Sequence, residues 1–297
     1  MTFPRDLWQH LNEELSQLHE QVKVSFEFFP AKSESQRDTL TRSVQRLSKV
    51  SPEFVSVTYG ALNGNRSDTQ KTIELIRSHT TTPVAAHLTC TSHSAEEIEQ
   101  IVLNYWNNGV RHIVALRGDN DNKHATPRYA LDLVKQLKAI RPFEISVAAY
   151  PETHPEASSE QADIDNLARK VEAGATRAIT QFFFSPEVFL NFRDKVNARG
   201  IDAELVPGIL PVYNFEQMKK FAEQTKVSIP HWMAHYYDGL ENDATTRQLI
   251  GLSLALEQLK FLVNEGVKHF HFYTLNRDSL VYTLCHALGK RPTQQAA

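Results

Sequence analysis

Glu27 lies in the run VSFEFF (24–29), directly between Phe26 and Phe28. A carboxylate in that company has to be ion-paired, hydrated in a cavity, or held protonated with a raised pKa. The last state is chemically useful, because a carboxylic acid that keeps its proton near neutrality can serve as a general acid. The bland alternative is a buried structural ion pair. A second run, HIVALRGD (112–119), is largely apolar until it ends in Arg117, Gly118 and Asp119. That ending puts a cation, a residue free to bring backbone close to a ligand, and a carboxylate side by side, although Asp119 taken alone reads as a turn residue or helix cap. Polar endings recur. Thr58 and Tyr59 close FVSVTY (54–59), and His87 and Thr89 lie in VAAHLTC (84–90). Tyr150 closes EISVAAY (144–150), with Glu152, His154 and Glu156 just beyond it. Gln181 lies in RAITQFF (177–183), and Tyr273, Asn276 and Arg277 mark the end of HFHFYTL (269–275).

His269 and His271 share one face of an extended run, a spacing that can ligate metal. No set of partners completes a coordination sphere, so a packed or surface pair is expected. There is no G-x-S-x-G elbow, no Walker loop, and no G-x-G-x-x-G after a strand. A nucleotide cofactor, if held, is therefore not held in a Rossmann cleft.

The elements that position these residues follow a rhythm. Eight Val-, Ile- and Phe-rich runs read as strands, the seventh being ELVPGIL (204–210). They are nearly continuous in apolar character, as strands covered on both faces are. Helices fill the gaps. HSAEEIEQIVLNYWNNG opens with Ser94 and Glu97 in capping-box spacing, carries Ile98, Ile101, Val102 and Tyr105 as a stripe, and stops at Gly109. SPEVFLNFRDKVNARG repeats the plan with Ser185, Pro186 and Gly200, and EQADIDNLARKVEAG ends at Gly174. Most strand starts fall about 30 residues apart, the length of a strand–helix–strand unit. The pattern predicts an α/β fold, a (β/α)8 barrel of TIM type, with an extra N-terminal helix and an elaborated crossover before strand 8; an open doubly wound sheet is the alternative. One catalytic domain spanning residues 1–297 is expected, with the active site at the C-terminal ends of the strands.

Composition agrees with a soluble globular chain: 297 residues, 41% hydrophobic, 23% charged, net charge −3. No nucleic-acid footprint of clustered Lys and Arg is present, and no apolar run is long enough to span a membrane. The N-terminus lacks the apolar core of a signal peptide. Two distant cysteines, Cys90 and Cys285, fit a reducing cytoplasm.

Taken jointly, VSFEFFP, FVSVTYGA, HLTC, YWNNGVRHIVALRGD, ISVAAYPETHPEA, RAITQFFF, PGILPV and HFHFYTLNR closely resemble the bacterial methylenetetrahydrofolate reductases. The resemblance covers about residues 20–290. It implies a (β/α)8 barrel carrying FAD, no regulatory domain, a cytoplasmic homotetramer, and a ping-pong relay in which NADH reduces FAD and reduced FAD reduces 5,10-methylenetetrahydrofolate to the 5-methyl product that supplies methionine synthesis. It assigns Glu27 as the acid that opens the imidazolidine ring. Asp119 would lie near the flavin and the pterin, lowering the flavin potential and stabilising the cationic intermediate. The rest of the FAD set would be Thr58, His87, Arg117, Gly118, Tyr129, Ala130, Tyr150, His154, Asp163, Asn166, Arg169 and Lys170, the last two as cations for the pyrophosphate. Gln181, Gln217, Phe221 and Arg277 would serve folate and nicotinamide. NADPH in place of NADH stays open. The competing readings are another flavin-dependent barrel oxidoreductase, such as a proline dehydrogenase, and a non-catalytic flavin- or folate-binding protein.

Overall fold

The computed structural model describes residues 22–59, 66–91, 93–118 and 129–292. The expected N-terminal helix and Asp119 lie outside these residues. Eight parallel strands close into a barrel in sequence order: β1 (Lys23–Phe28), β2 (Val55–Val57), β3 (Val84–Thr89), β4 (His112–Leu116), β5 (Glu144–Ala149), β6 (Arg177–Phe182), β7 (Glu204–Ile209) and β8 (His269–Tyr273). The seam is a β1–β8 pairing that sets Lys23 against His269, Ser25 against His271 and Glu27 against Tyr273. The open-sheet alternative is excluded.

The helices form the outer layer: α1 (Glu34–Leu47), α2 (Arg66–His79), α3 (Ala95–Asn107), α4 (Ala130–Ile140), α5 (Glu160–Glu172), α6 (Pro186–Ala198), α7 (Phe215–Thr225), α8 (His231–His235), α9 (Ala244–Asn264) and α10 (Ser279–Ala287). Their ends follow local chemistry. Ser94 and Glu97 form the expected capping box on α3, and Gly109, Gly174 and Gly200 leave helices at positive φ. The crossover from β7 to β8 carries α7, α8 and α9, the expected elaboration. The helix α9 is polar enough, like every other described helix, that none could cross a membrane.

Because side chains alternate along a strand, Phe26 and Phe28 leave the barrel and pack with Leu40, Val44 and Leu47 of α1. Glu27 therefore points the other way, into the barrel. The phenylalanines that flank it in sequence are not its neighbours in space. The interior is part apolar, with Phe54, Ala85, Val114, Ile179 and Val206 in one cluster. It is also part polar: Ser25, Ser56, His87, His112, Ser146, His269 and His271 are all buried.

At the end where the strands begin, Arg177 is held by two carboxylates, Nη1 to Glu144 Oε1 at 2.6 Å and Nε to Glu204 Oε2 at 2.7 Å. Glu204 Oε1 also accepts from His269 Nδ1 at 2.9 Å. These groups close the bottom of the barrel, the face associated with stability in this fold.

Candidate active site

Three elements converge on Glu27. Its Oε2 lies 3.5 Å from His87 Nε2 on β3 and 3.8 Å from His271 Nε2 on β8. The carboxylate keeps 21% of its side-chain exposure, while His271 has none. Both Nε2 atoms are buried without a hydrogen-bond partner among the described residues, as are Ser56 Oγ on β2 and Thr58 Oγ1 just beyond its end. Burial holds the His87 imidazole below its ordinary pKa, against the opposing pull of Glu27. Tyr273 is the next group along β8. Burial, with Glu27 nearby, pushes its phenol well above the usual range, and its hydroxyl donates to Thr180 O at 2.7 Å.

The backbone under Glu27 is fixed from β8. Thr274 Oγ1 donates to the Glu27 carbonyl at 2.6 Å, and Asn276 brackets the Phe29 backbone. Leu275 and Asn276 both adopt positive φ, +51° and +57°. Such strain outside glycine persists where surrounding bonds over-determine it, and it concentrates at functional sites.

The other predicted residues fall into groups. Gly118 sits at φ +92°, and a Cβ there would lie 2.7 Å from Thr91 Oγ1 and 2.8 Å from Thr89 Cβ. The crowding that requires glycine is thus already present within the protein. Arg117 makes a bidentate pair with Glu156, Nη2 to Oε1 at 2.9 Å. Tyr150 and His154 meet edge to face at 4.5 Å, and the His154 amide donates to Asp163 Oδ2 at 2.8 Å. Lys170 is buried, its Nζ donating to Ala148 O at 2.8 Å, and desolvation brings its pKa down to about 8. Asn166 lies on the same helix, α5, half-buried, whereas Arg169 is exposed. Tyr129 is exposed at the start of α4, next to Ala130. Gln181 Oε1 accepts from the next amide at 3.1 Å. Gln217 is exposed on α7, Phe221 packs beside Phe182 and Met218, and the Arg277 guanidinium stacks 5.2 Å over Tyr213.

Ser25 and Thr274 belong to no motif that singles them out, and the sequence leaves the His269–His271 pair as packed or on the surface. The available signal was periodic. Ser25 and Glu27, like His269, His271 and Tyr273, alternate with phenylalanine or another apolar residue, so each set faces the interior of a half-polar barrel.

The orphaned donors and acceptors around Thr58 and His87, with the buried Lys170 cation further round the barrel, fit a polar, anionic group such as FAD.

A closed parallel barrel with an acid–imidazole cluster on its inner wall and polar strand ends defines a (β/α)8 protein of the enzymatic kind. The chain belongs to the methylenetetrahydrofolate reductase family, whose model matches residues 11–289. It is 54% identical to 5,10-methylenetetrahydrofolate reductase of Escherichia coli (strain K12) over 283 residues, 95% of this chain and 96% of that one. It is 48% identical to the protein of the same name from Buchnera aphidicola subsp. Schizaphis graminum over 291 residues, 97% of this chain and all of the other. Methylenetetrahydrofolate reductase (NADH) 1 of Arabidopsis thaliana is 30% identical over 289 residues, which is 48% of its length. Among solved structures, a Clostridium thermocellum protein described as binding two copies of 5-methyl-5,6,7,8-tetrahydrofolic acid superposes with a TM-score of 0.67 at 13% identity, covering 94% of this chain and 98% of that one. That likeness supports the fold.

Proposed function

We propose that this chain reduces 5,10-methylenetetrahydrofolate to 5-methyltetrahydrofolate with electrons from NADH, the two substrates using one FAD-containing site in turn. The observation that carries the reading is Glu27, a half-buried carboxyl set against two imidazoles on the barrel's inner wall, in a chain of this family. FAD, when bound, supplies a hydride acceptor for NADH and a hydride donor for the folate. Thr58, His87, Arg117, Gly118, Tyr150, His154, Asp163, Asn166 and Lys170 would hold it, with Tyr129, Ala130 and Arg169 at the periphery.

The protein's own part is proton chemistry and orientation. Glu27 gives its proton to N10 of the folate, the bond from the bridging methylene to N10 breaks, and the methylene becomes a cationic N5 iminium. That carbon takes up a hydride and becomes the methyl group. One proton and one hydride are consumed, and Glu27 is reprotonated before the next turnover. Asp119 would stabilise the cation electrostatically. Gln181, Gln217, Phe221 and Arg277 would seat the pterin or the nicotinamide, Gln181 through its paired donor and acceptor.

The test is anaerobic. NADH added to the flavin-loaded protein should bleach the visible flavin band, and methylenetetrahydrofolate added next should restore it. Protein that takes up no flavin, or bleached flavin that the folate leaves unchanged, would overturn the proposal.

A further inference from the structure

A line of polar groups, buried at Ser25, His269 and His271, crosses the barrel from Glu204 at its closed end to Glu27. Glu204 Oε1 meets His269 Nδ1 at 2.9 Å, His269 Nε2 meets Ser25 Oγ at 3.0 Å, and Ser25 Oγ meets His271 Nδ1 at 2.8 Å. His271 Nε2 then faces Glu27 Oε2 at 3.8 Å. Ser25 and His271 are completely buried, so water does not interrupt the line at those two positions.

Donor counting fixes its direction. Glu204 is ion-paired with Arg177, and an ionised carboxylate only accepts. His269 Nδ1 must therefore carry the proton of the Glu204 bond. Burial keeps His269 below its ordinary pKa, outweighing the pull of Glu204, and a neutral imidazole has one N–H. Its Nε2 is then an acceptor and takes the Ser25 hydroxyl proton. The Ser25 oxygen, having spent its only proton, accepts from His271 Nδ1–H. In neutral His271 this leaves Nε2 bare.

We propose that Glu204 at the closed end of the barrel sets the tautomer of His271 through His269 and Ser25, so that His271 turns a bare Nε2 toward Glu27 Oε2 across 3.8 Å, and a rotation of the carboxyl that closes this gap lets Nε2 accept the acid proton and hold it until the folate arrives. His271, Ser25, His269 and Glu204 are thus positioning residues that act through Glu27, and the inference rests on the proposed role of Glu27. The titratable and charged groups around the line are His87 from β3, His112 from β4, Glu144 from β5, Arg177 from β6, Glu204 from β7, and His269, His271 and Tyr273 from β8. Among the described residues, His87 and His271 approach the Glu27 carboxylate within 4 Å, and Tyr273 is paired with Glu27 across the seam.

The test has two arms. Nitrogen-15 NMR of histidine-labelled protein, with His271 assigned through H271Q, reads the tautomer without any folate. The expected result is a His271 protonated on Nδ1, converting to a mixture or to the Nε2–H form in Ser25→Ala. A wild-type His271 protonated on Nε2, or doubly protonated, overturns the inference. In the second arm, Ser25→Ala should reduce flavin with NADH at the wild-type rate. Its folate half-reaction should slow about tenfold, less than the roughly hundredfold or more expected when the acid itself is lost, with the alkaline fall of that half-reaction displaced to lower pH. An unmoved pH profile, or equal slowing of both half-reactions, also overturns it. His269→Phe, which fills the site but neither donates to Glu204 nor accepts from Ser25, replaces Ser25→Ala if the latter does not fold, with the same expected and overturning results. Glu27→Gln separates this failure from failure of the underlying reading: full folate reduction by that variant would remove the acid itself, whatever tautomer His271 shows.

Discussion

Asn276 clasps the Phe29 backbone with both ends of its side-chain amide. Its Oδ1 accepts from Phe29 N at 3.0 Å and its Nδ2 donates to Phe29 O at 2.9 Å. The clasp ties the loop after β8 to the end of β1, where the barrel closes and where Glu27 is presented. Asn276→Ala removes two hydrogen bonds and strands two backbone groups, so it should lower stability by about 1–3 kcal/mol. Urea unfolding measures this; an unchanged midpoint would show that water replaces the clasp.

Gly208 on β7 is a second point of close approach. A Cβ there would sit 2.2 Å from Thr180 O and 2.5 Å from Tyr273 Cε2. Both are fixed, since the Tyr273 hydroxyl is itself bonded to Thr180 O. Gly208→Ala should cost about 1–3 kcal/mol through overpacking and push Tyr273 toward Glu27. Thermal unfolding reads the first effect, and a raised folate KM with normal flavin reduction by NADH reads the second.

The closed end makes a pH prediction. The His269 hydrogen bond, with further help from Arg177, draws the Glu204 carboxyl from 4.5 down to about 2. The unfolded chain therefore binds the extra proton first as acid is added. The contribution of Glu204 to stability is complete above its ordinary pKa and is lost as the pH falls toward its folded value. The urea midpoint of wild type should drop between about pH 5 and about pH 2, and Glu204→Gln should flatten part of that slope. Parallel curves for the two proteins would contradict this.

Much of the barrel could be read from the chain because its strands are apolar on both faces and its helices announce their ends, as at Ser94, Glu97 and Gly109. The exit of polar residues at strand ends likewise pointed to one face of the fold. What could not be read was direction within a strand. Phe26 and Phe28 suggest an apolar setting for Glu27 until the pleat sends them outward to α1, leaving Glu27 with His87 and His271. Pairing across the seam was equally hidden, because Ser25 and His271 are 246 positions apart and only barrel closure joins them. Arg117 was expected to supply charge to the cofactor; its bidentate bond to Glu156 depends on how the loop after β5 folds back, which no local pattern encodes.

The central claim is that Glu27 is the proton donor to the folate and takes no part in flavin reduction. Rapid-mixing of Glu27→Gln under anaerobic conditions measures both half-reactions on one sample. Flavin bleaching by NADH should proceed at close to the wild-type rate, while reoxidation by methylenetetrahydrofolate should fall about a hundredfold to ten-thousandfold, the range for loss of a general acid. Reoxidation at the wild-type rate, or equal loss in both half-reactions, would contradict the account.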